Sequence, residues 1–180
     1  MAAMEITANQ VTLAAAIGSV IVGVVLAVYI HTTLIFLLVP VWMLVRMALN
    51  AIDGMLAREF DQKSKLGTYL NEVCDVVSDA ALYIPFALIA PFTFYGVALV
   101  VFLATLTEIV GILGLTVGAS RRYDGPLGKS DRAFVFGALG LWLGVAGTLP
   151  EWMGWLMPVL SVLLSVTIFN RVKRALVEAK

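Results

Sequence analysis

Two runs of polar residues interrupt an otherwise oily sequence between Asn50 and Asp79, and their spacing is that of helix faces. Arg46, Asn50, Asp53 and Ala57 recur at three- and four-residue intervals, and Gly67, Asn71, Asp75 and Asp79 recur every fourth residue. Each set therefore forms one stripe along a helix. Asp53, Asp75, Asn50 and Asn71 supply carboxylate and carboxamide oxygens, with no histidine or thiol in either stripe's donor set. Such a hard-oxygen set suits Mg²⁺, Mn²⁺ or Ca²⁺ rather than zinc. Mg²⁺ takes few protein ligands and completes its shell with phosphate oxygens and water, so a half-open set of this kind fits a nucleotide or pyrophosphate. Gly54, beside Asp53, and Gly67 leave room for backbone and ligand to approach each other closely.

The elements that must hold these residues are membrane helices. Hydrophobic residues make up 61% of the 180-residue chain and charged ones 13%, and the mean hydropathy is +0.99. A soluble domain carries about a quarter charged residues. The formal net charge of zero and the lack of aromatic-basic patches argue against nucleic acid as a partner. A lone cysteine, Cys74, excludes an internal disulfide and is expected to be a small packing residue.

Segments Val11–Ile30, Thr33–Ala57, Leu66–Ile89, Phe92–Val117, Ala133–Leu149 and Trp152–Val172 are long enough to span a bilayer, which takes about 20 residues. The expectation is a single-domain, all-α integral membrane protein with six transmembrane helices. The first segment has no basic leader and is long for a signal's apolar stretch, so it is expected to be retained. The connections near His31, Pro91 and Pro150 hold no lysine or arginine. Every such residue except Arg46 lies in or beside REFDQKSK, ASRRYDGPLGKSDR or NRVKRALVEAK. By the positive-inside rule both termini face the cytoplasm. Tyr29, Phe94, Tyr95, Trp152 and Trp155 fall near the opposite ends as interfacial anchors. Pro40, Pro85 and Pro158 are expected to kink their spans, and Gly140 and Gly144 to mark close helix packing.

A short loop near Glu59–Lys65 predicts that the second and third helices pack as an antiparallel hairpin. Counting back from the loop at about 1.5 Å per residue sets Asp53 level with Asn71, Asn50 with Asp75, and Arg46 with Asp79. The last two form an expected buried ion pair beneath a mouth of oxygen ligands. An ion channel would need a continuous polar path, but both helices turn apolar beyond Arg46 and Asp79.

The run Asn50-x-x-Asp53-Gly54-x-x-Ala57-Arg58, eight residues, then Gly67-x-x-x-Asn71-x-x-x-Asp75 resembles the signature of the CDP-alcohol phosphatidyltransferases. That signature is D-x-x-D-G-x-x-A-R, eight residues, G-x-x-x-D-x-x-x-D. Asn9 and Thr12 are similar to the family's N-x-x-T before its first span, and the six-span layout agrees. The resemblance implies metal-dependent transfer of a phosphatidyl or similar group from a CDP-activated lipid or alcohol to an acceptor alcohol, with release of CMP, in phospholipid biosynthesis. It implies Mg²⁺ or Mn²⁺, one or two ions, held at Asp53, Asp75, Asn50 and Asn71, and Asp75 as the general base. It further implies nucleotide contacts from Gly54, Ala57, Arg58, Gly67, Asn9 and Thr12. A homodimer in a bacterial inner membrane, with its active site facing the cytoplasm, is part of the same expectation.

This chain departs from the signature at Asn50 and Asn71, where the family has aspartates. An amide oxygen can still bind a metal but brings no charge. Glu72 and Asp79 are expected to restore it, sharing a face with Asp75. The alternative is a family member that no longer catalyses and binds nucleotide-lipid or a protein partner. Arg121, Arg122, Lys129 and Arg132 cluster at the same membrane face. They suit either a phosphorylated acceptor, such as glycerol phosphate or an inositol phosphate, or anionic lipid headgroups. Glu108, alone in the fourth span, is expected to pair structurally with Arg46 in competition with Asp79, or else to contact the acceptor's hydroxyls.

Overall fold

The computed structural model describes residues 6–180, and among them every regular element is helical. The helices are α1 (Ala8–Val28), α2 (Leu38–Glu59), α3 (Lys65–Tyr83), α4 (Phe94–Leu113), α5 (Lys129–Ala146) and α6 (Leu156–Glu178). The starts of α1, α3, α4 and α5 follow from local hydrogen bonding that satisfies otherwise unpaired amides. Thr7 and Gln10 form a reciprocal capping box at α1, Ser64 caps α3 through the Gly67 amide at 2.9 Å, and Thr93 caps α4 through Gly96 at 3.1 Å. Asp131 accepts from the Gly128 amide at 2.8 Å and opens α5.

Ala8–Val28, Thr33–Glu59, Phe94–Val117 and Glu151–Glu178 are long and apolar enough to cross a membrane by length and composition. Helices α3 and α5 fall short of that measure because each carries ionisable residues, among them Glu72, Asp75 and Asp79 in one and Lys129, Asp131 and Arg132 in the other. Large apolar side chains such as Ile17, Leu44, Phe102, Val145 and Phe169 face outward. The interior holds Leu26, Phe36, Val39, Tyr83, Phe86, Phe136 and Leu164, with the Tyr83 and Phe136 rings stacked 3.9 Å apart. Tyr29, Phe94, Tyr95, Trp152 and Trp155 are all exposed at helix ends.

The prolines do not kink helix middles. Pro40 and Pro158 lie in the first turns of α2 and α6, each just after a 3₁₀ segment, and Pro85 lies in the 3₁₀ segment after α3. A proline in a first turn lacks an amide that had no partner in any case. Helix α6 also extends past Val172 to Glu178 and buries Arg171 and Ala175.

The expected α2–α3 hairpin is corrected by the packing. Helix α1 packs against both α2 and α3, whereas α2 and α3 make no comparable backbone approach to each other. Small residues explain the choice of neighbour. A Cβ on Gly23 would fall 2.2 Å from the Ala81 carbonyl oxygen, so α1 and α3 touch backbone to backbone there. On the other side, Trp42 of α2 covers Gly18 and donates to Ser19 at 2.9 Å. Helix α5 closes on α2 and the 3₁₀ segment before it, where Gly140 and Gly144 meet Phe36, Val39 and Leu37. Helix α4 joins α3 to α6.

Candidate active site

The separation of α2 from α3 leaves their polar stripes bridged by side chains rather than pressed together. Asp53 is 7% exposed and accepts a hydrogen bond from the Thr12 hydroxyl at 2.6 Å. Three residues earlier on α1, Asn9 lies against Gly67, where an added Cβ would stand 2.8 Å from its Oδ1. One helix thus buttresses the first half of the polar pattern through Thr12 and the second through Asn9. The Ala8 amide donates to Gln62 at 2.7 Å, which fastens the α2–α3 loop to the same end of α1.

Arg46 crosses the gap. Its Nη1 lies 2.6 Å from Asp79 Oδ1, and its Nη2 donates to the Asp75 carbonyl at 3.1 Å and to Asp75 Oδ1 at 3.2 Å. The other carboxylate oxygen of Asp75 is ion-paired with Lys129 at the start of α5. Asp75 is thus held between cations of α2 and α5, while Asp53 is held by α1 through Thr12. Asn50, Asn71, Gly54, Ala57 and Gly67 are half-buried, and Arg58 is exposed. A Cβ on Gly54 would meet only the end of the Arg58 side chain, at 3.4 Å, so the backbone beside Asp53 is open to approach.

Deeper charges form a network across four helices. Arg132, 2% exposed, donates through Nη2 to Asp79 at 3.1 Å and Glu108 at 3.0 Å, and through Nη1 to Thr107 at 3.2 Å. Glu108 also lies 3.6 Å from both Arg121 and Arg171, and Arg171 donates to the Thr107 carbonyl. Burial on this scale needs such pairing, since an unpaired charge in the interior costs several kcal/mol, about 3–5 by partner removal.

Several expectations change accordingly. Glu108 pairs with Arg132, Arg121 and Arg171 rather than with Arg46. Glu72 is ion-paired with Arg121, and Asp79 with Arg46 and Arg132, so neither acid adds free negative charge to the oxygen cluster. Arg132 is enclosed in the network rather than presented to an incoming molecule. Arg122 turns away to Asp124 at 2.8 Å and to Glu178. Of the four basic residues Lys129 meets Asp75, and Arg121 pairs with Glu72 and Glu108. Arg121 also stacks on Tyr123, 4.9 Å from the ring centre, and burial pulls its guanidinium below the ordinary arginine value. Arg171, which the sequence pattern grouped with the basic tail at the end of the sixth segment, is 2% exposed. Its only signal was a helical spacing of four residues after Thr167, a residue buried on the same α6 face.

The donor chemistry decides what metal the residues can hold. Thr12 uses only one oxygen of Asp53, and an aspartate with carboxamide neighbours is a hard-oxygen donor set of the kind that suits Mg²⁺ or Mn²⁺. Asp75 has both oxygens engaged by cations of the chain itself. Among the described residues no group of three or more histidine, cysteine, aspartate or glutamate side chains is gathered for a metal.

The sequence matches the family model described as CDP-alcohol phosphatidyltransferase over residues 5–167. It is also 45% identical over 175 residues to the inner membrane protein YnbA of Escherichia coli (strain K12), a match that covers 96% of this chain and 85% of that relative.

Proposed function

The chain belongs to the CDP-alcohol phosphatidyltransferase family, and on that footing we propose that it transfers a phosphatidyl or similar substituted phosphate group from a CDP-activated alcohol to an acceptor hydroxyl, releasing CMP. The observation that supports the proposal is the Asp75 carboxylate held between Arg46 and Lys129, with Asp53 of the α2 stripe fixed by Thr12 and with Asn50 and Asn71 half-buried. In this reading Gly54, Ala57, Arg58, Gly67 and Asn9 lie against the nucleotide, and Thr12 orients Asp53. Six spans, both termini in the cytoplasm and residence in a bacterial inner membrane complete the proposal. The grouping of lysines and arginines and the likeness to an inner membrane protein of Escherichia coli support it.

The residues then have distinct tasks. Asp53, Asn50 and Asn71 would hold a divalent ion, which when bound neutralises diphosphate charge and orients the leaving group. Arg46 fixes the Asp75 side chain from below. The acceptor hydroxyl oxygen forms a bond to the phosphorus on the lipid side of the diphosphate. The bridging P–O bond breaks, and CMP leaves with that oxygen. Asp75 takes the hydroxyl proton, a step that general-base catalysis accelerates about 10²–10⁴-fold. Arg121, at the rim, is the residue best disposed to meet a charged acceptor.

Purified protein in nanodiscs, supplied with radiolabelled CDP-diacylglycerol, Mn²⁺ or Mg²⁺ and a panel of alcohols, should release CMP with at least one acceptor. The carboxamides at positions 50 and 71 favour a second reading, a family member that binds without turnover. Folded protein that binds CDP yet releases no CMP with any acceptor selects that reading.

A further inference from the structure

The residue pattern and the ion pairs disagree with a site for two divalent ions. Two stripes that would carry four carboxylates carry two, because Asn50 and Asn71 are neutral. One of the remaining two, Asp75, has no free oxygen. Arg46 holds Oδ1 at 3.2 Å, and Lys129 holds Oδ2. Lys129 arrives from a third helix, at the first residue of α5, where the chain turns from the loop into the bundle. Its neighbour Asp131 is committed to the Gly128 amide, and Glu72 to Arg121, so Asp75 is the acid that Lys129 meets. A metal ion bound to Asp75 would have to displace Arg46 or Lys129 from its carboxylate.

We propose that the Lys129 ammonium is the second cation of this site, supplied by the chain itself, and that the site takes a single divalent ion, at Asp53 with Asn50 and Asn71. The inference rests on the reading of this gap as a diphosphate site. A lysine is suited to the task because it is a compact point charge on a flexible stem. Its side chain is 33% exposed, so it can follow an incoming anion. When the diphosphate enters, Lys129 moves from Asp75 Oδ2 onto a phosphate oxygen. The exchange neutralises the phosphate and frees Oδ2 for the acceptor's proton. Charge neutralisation and uncovering of the base thereby become one event. The neutral amides at positions 50 and 71 follow from the same logic, since a site with a built-in cation needs fewer carboxylates to balance one divalent ion.

Mn²⁺ binding to the full-length protein in nanodiscs, followed by electron paramagnetic resonance in the presence of CDP, tests this directly. The wild-type protein should bind one Mn²⁺ per chain, and Lys129→Arg, which keeps the charge, should do the same. Before CDP is added, Lys129→Met should bind Mn²⁺ about tenfold more tightly than wild type, because a nearby like charge has gone. Adding Asn50→Asp and Asn71→Asp to Lys129→Met should raise the stoichiometry to two. Two Mn²⁺ per wild-type chain, or an unchanged affinity in Lys129→Met, would overturn the inference while leaving the transferase reading intact. Loss of any measurable CDP binding by the wild-type protein would instead overturn the diphosphate reading on which both depend.

Discussion

Replacing Arg132 by methionine separates a structural role from a substrate-binding one, because the two roles predict opposite results. Its guanidinium is 2% exposed and contacts Asp79 at 3.1 Å, Glu108 at 3.0 Å and Thr107 at 3.2 Å. Methionine fills much of the same volume but strands part of the charge on two buried carboxylates. Removing one member of a buried charge pair costs about 3–5 kcal/mol. Asp79 keeps Arg46 at 2.6 Å, and Glu108 keeps Arg121 and Arg171 at 3.6 Å, so the lower end of that range applies. A loss of about 3 kcal/mol corresponds to a fall in Tm of roughly 6–12 °C for a chain of this size. Thermal unfolding in a defined detergent, followed by tryptophan fluorescence, measures it. A double-mutant cycle supplies the control: Glu108→Gln should cost less on the Arg132→Met background than alone, because the arginine it would strand is already gone. A variant with unchanged Tm and a raised KM for the acceptor would refute the placement of Arg132 inside the network and return it to the substrate.

Asp75→Asn should lower CMP release at least about 10²-fold, the share expected of a general base, while CDP binding measured by calorimetry stays within a few-fold of wild type. Thr12→Val removes the hydroxyl that holds Asp53 at 2.6 Å. Loss of such a partner to a ligating carboxylate weakens metal affinity by about 10–100-fold, and Thr12→Ser should recover most of it in an Mn²⁺ titration. Glu178 accepts from the Ser120 amide and hydroxyl and pairs with Arg122, which together hold its carboxyl below the ordinary value of 4.5. A depressed carboxyl stabilises above its unfolded value and loses that contribution as pH falls through the folded one. The Ser120 amide should therefore exchange faster below that window, after correction for intrinsic rates, and Glu178→Gln should flatten the dependence.

Much of the arrangement was legible because helical spacing is a rigid ruler. Counting residues from the loop put Arg46 level with Asp79, and the two side chains meet at 2.6 Å. The same count said nothing of what lies between two helices. Antiparallel neighbours in sequence were expected to pack, yet Gly18 and Gly23 let α1 approach both α2 and α3 and wedge between them. That choice depends on backbone proximity, which a polar stripe does not encode. The long-range ion pairs were hidden for a similar reason. Arg132 and Arg171 carry the composition of a cytoplasmic loop and tail, but α5 begins and α6 ends beyond the purely apolar segments, so both are drawn inside. Lys129 was readable as a basic residue at the right face. Its partner Asp75, 54 residues earlier in the chain, was not.

The central claim is that Asp53 and Asp75 face one gap in which a divalent ion meets a cytidine diphosphate. Crystals grown in lipidic mesophase with CDP and Mn²⁺ test it by anomalous scattering. The account predicts a single strong Mn²⁺ peak bonded to Asp53 and to a phosphate oxygen of CDP, with Lys129 drawn onto the diphosphate. A peak bound away from both aspartates, or CDP seated on another face of the bundle, would contradict it.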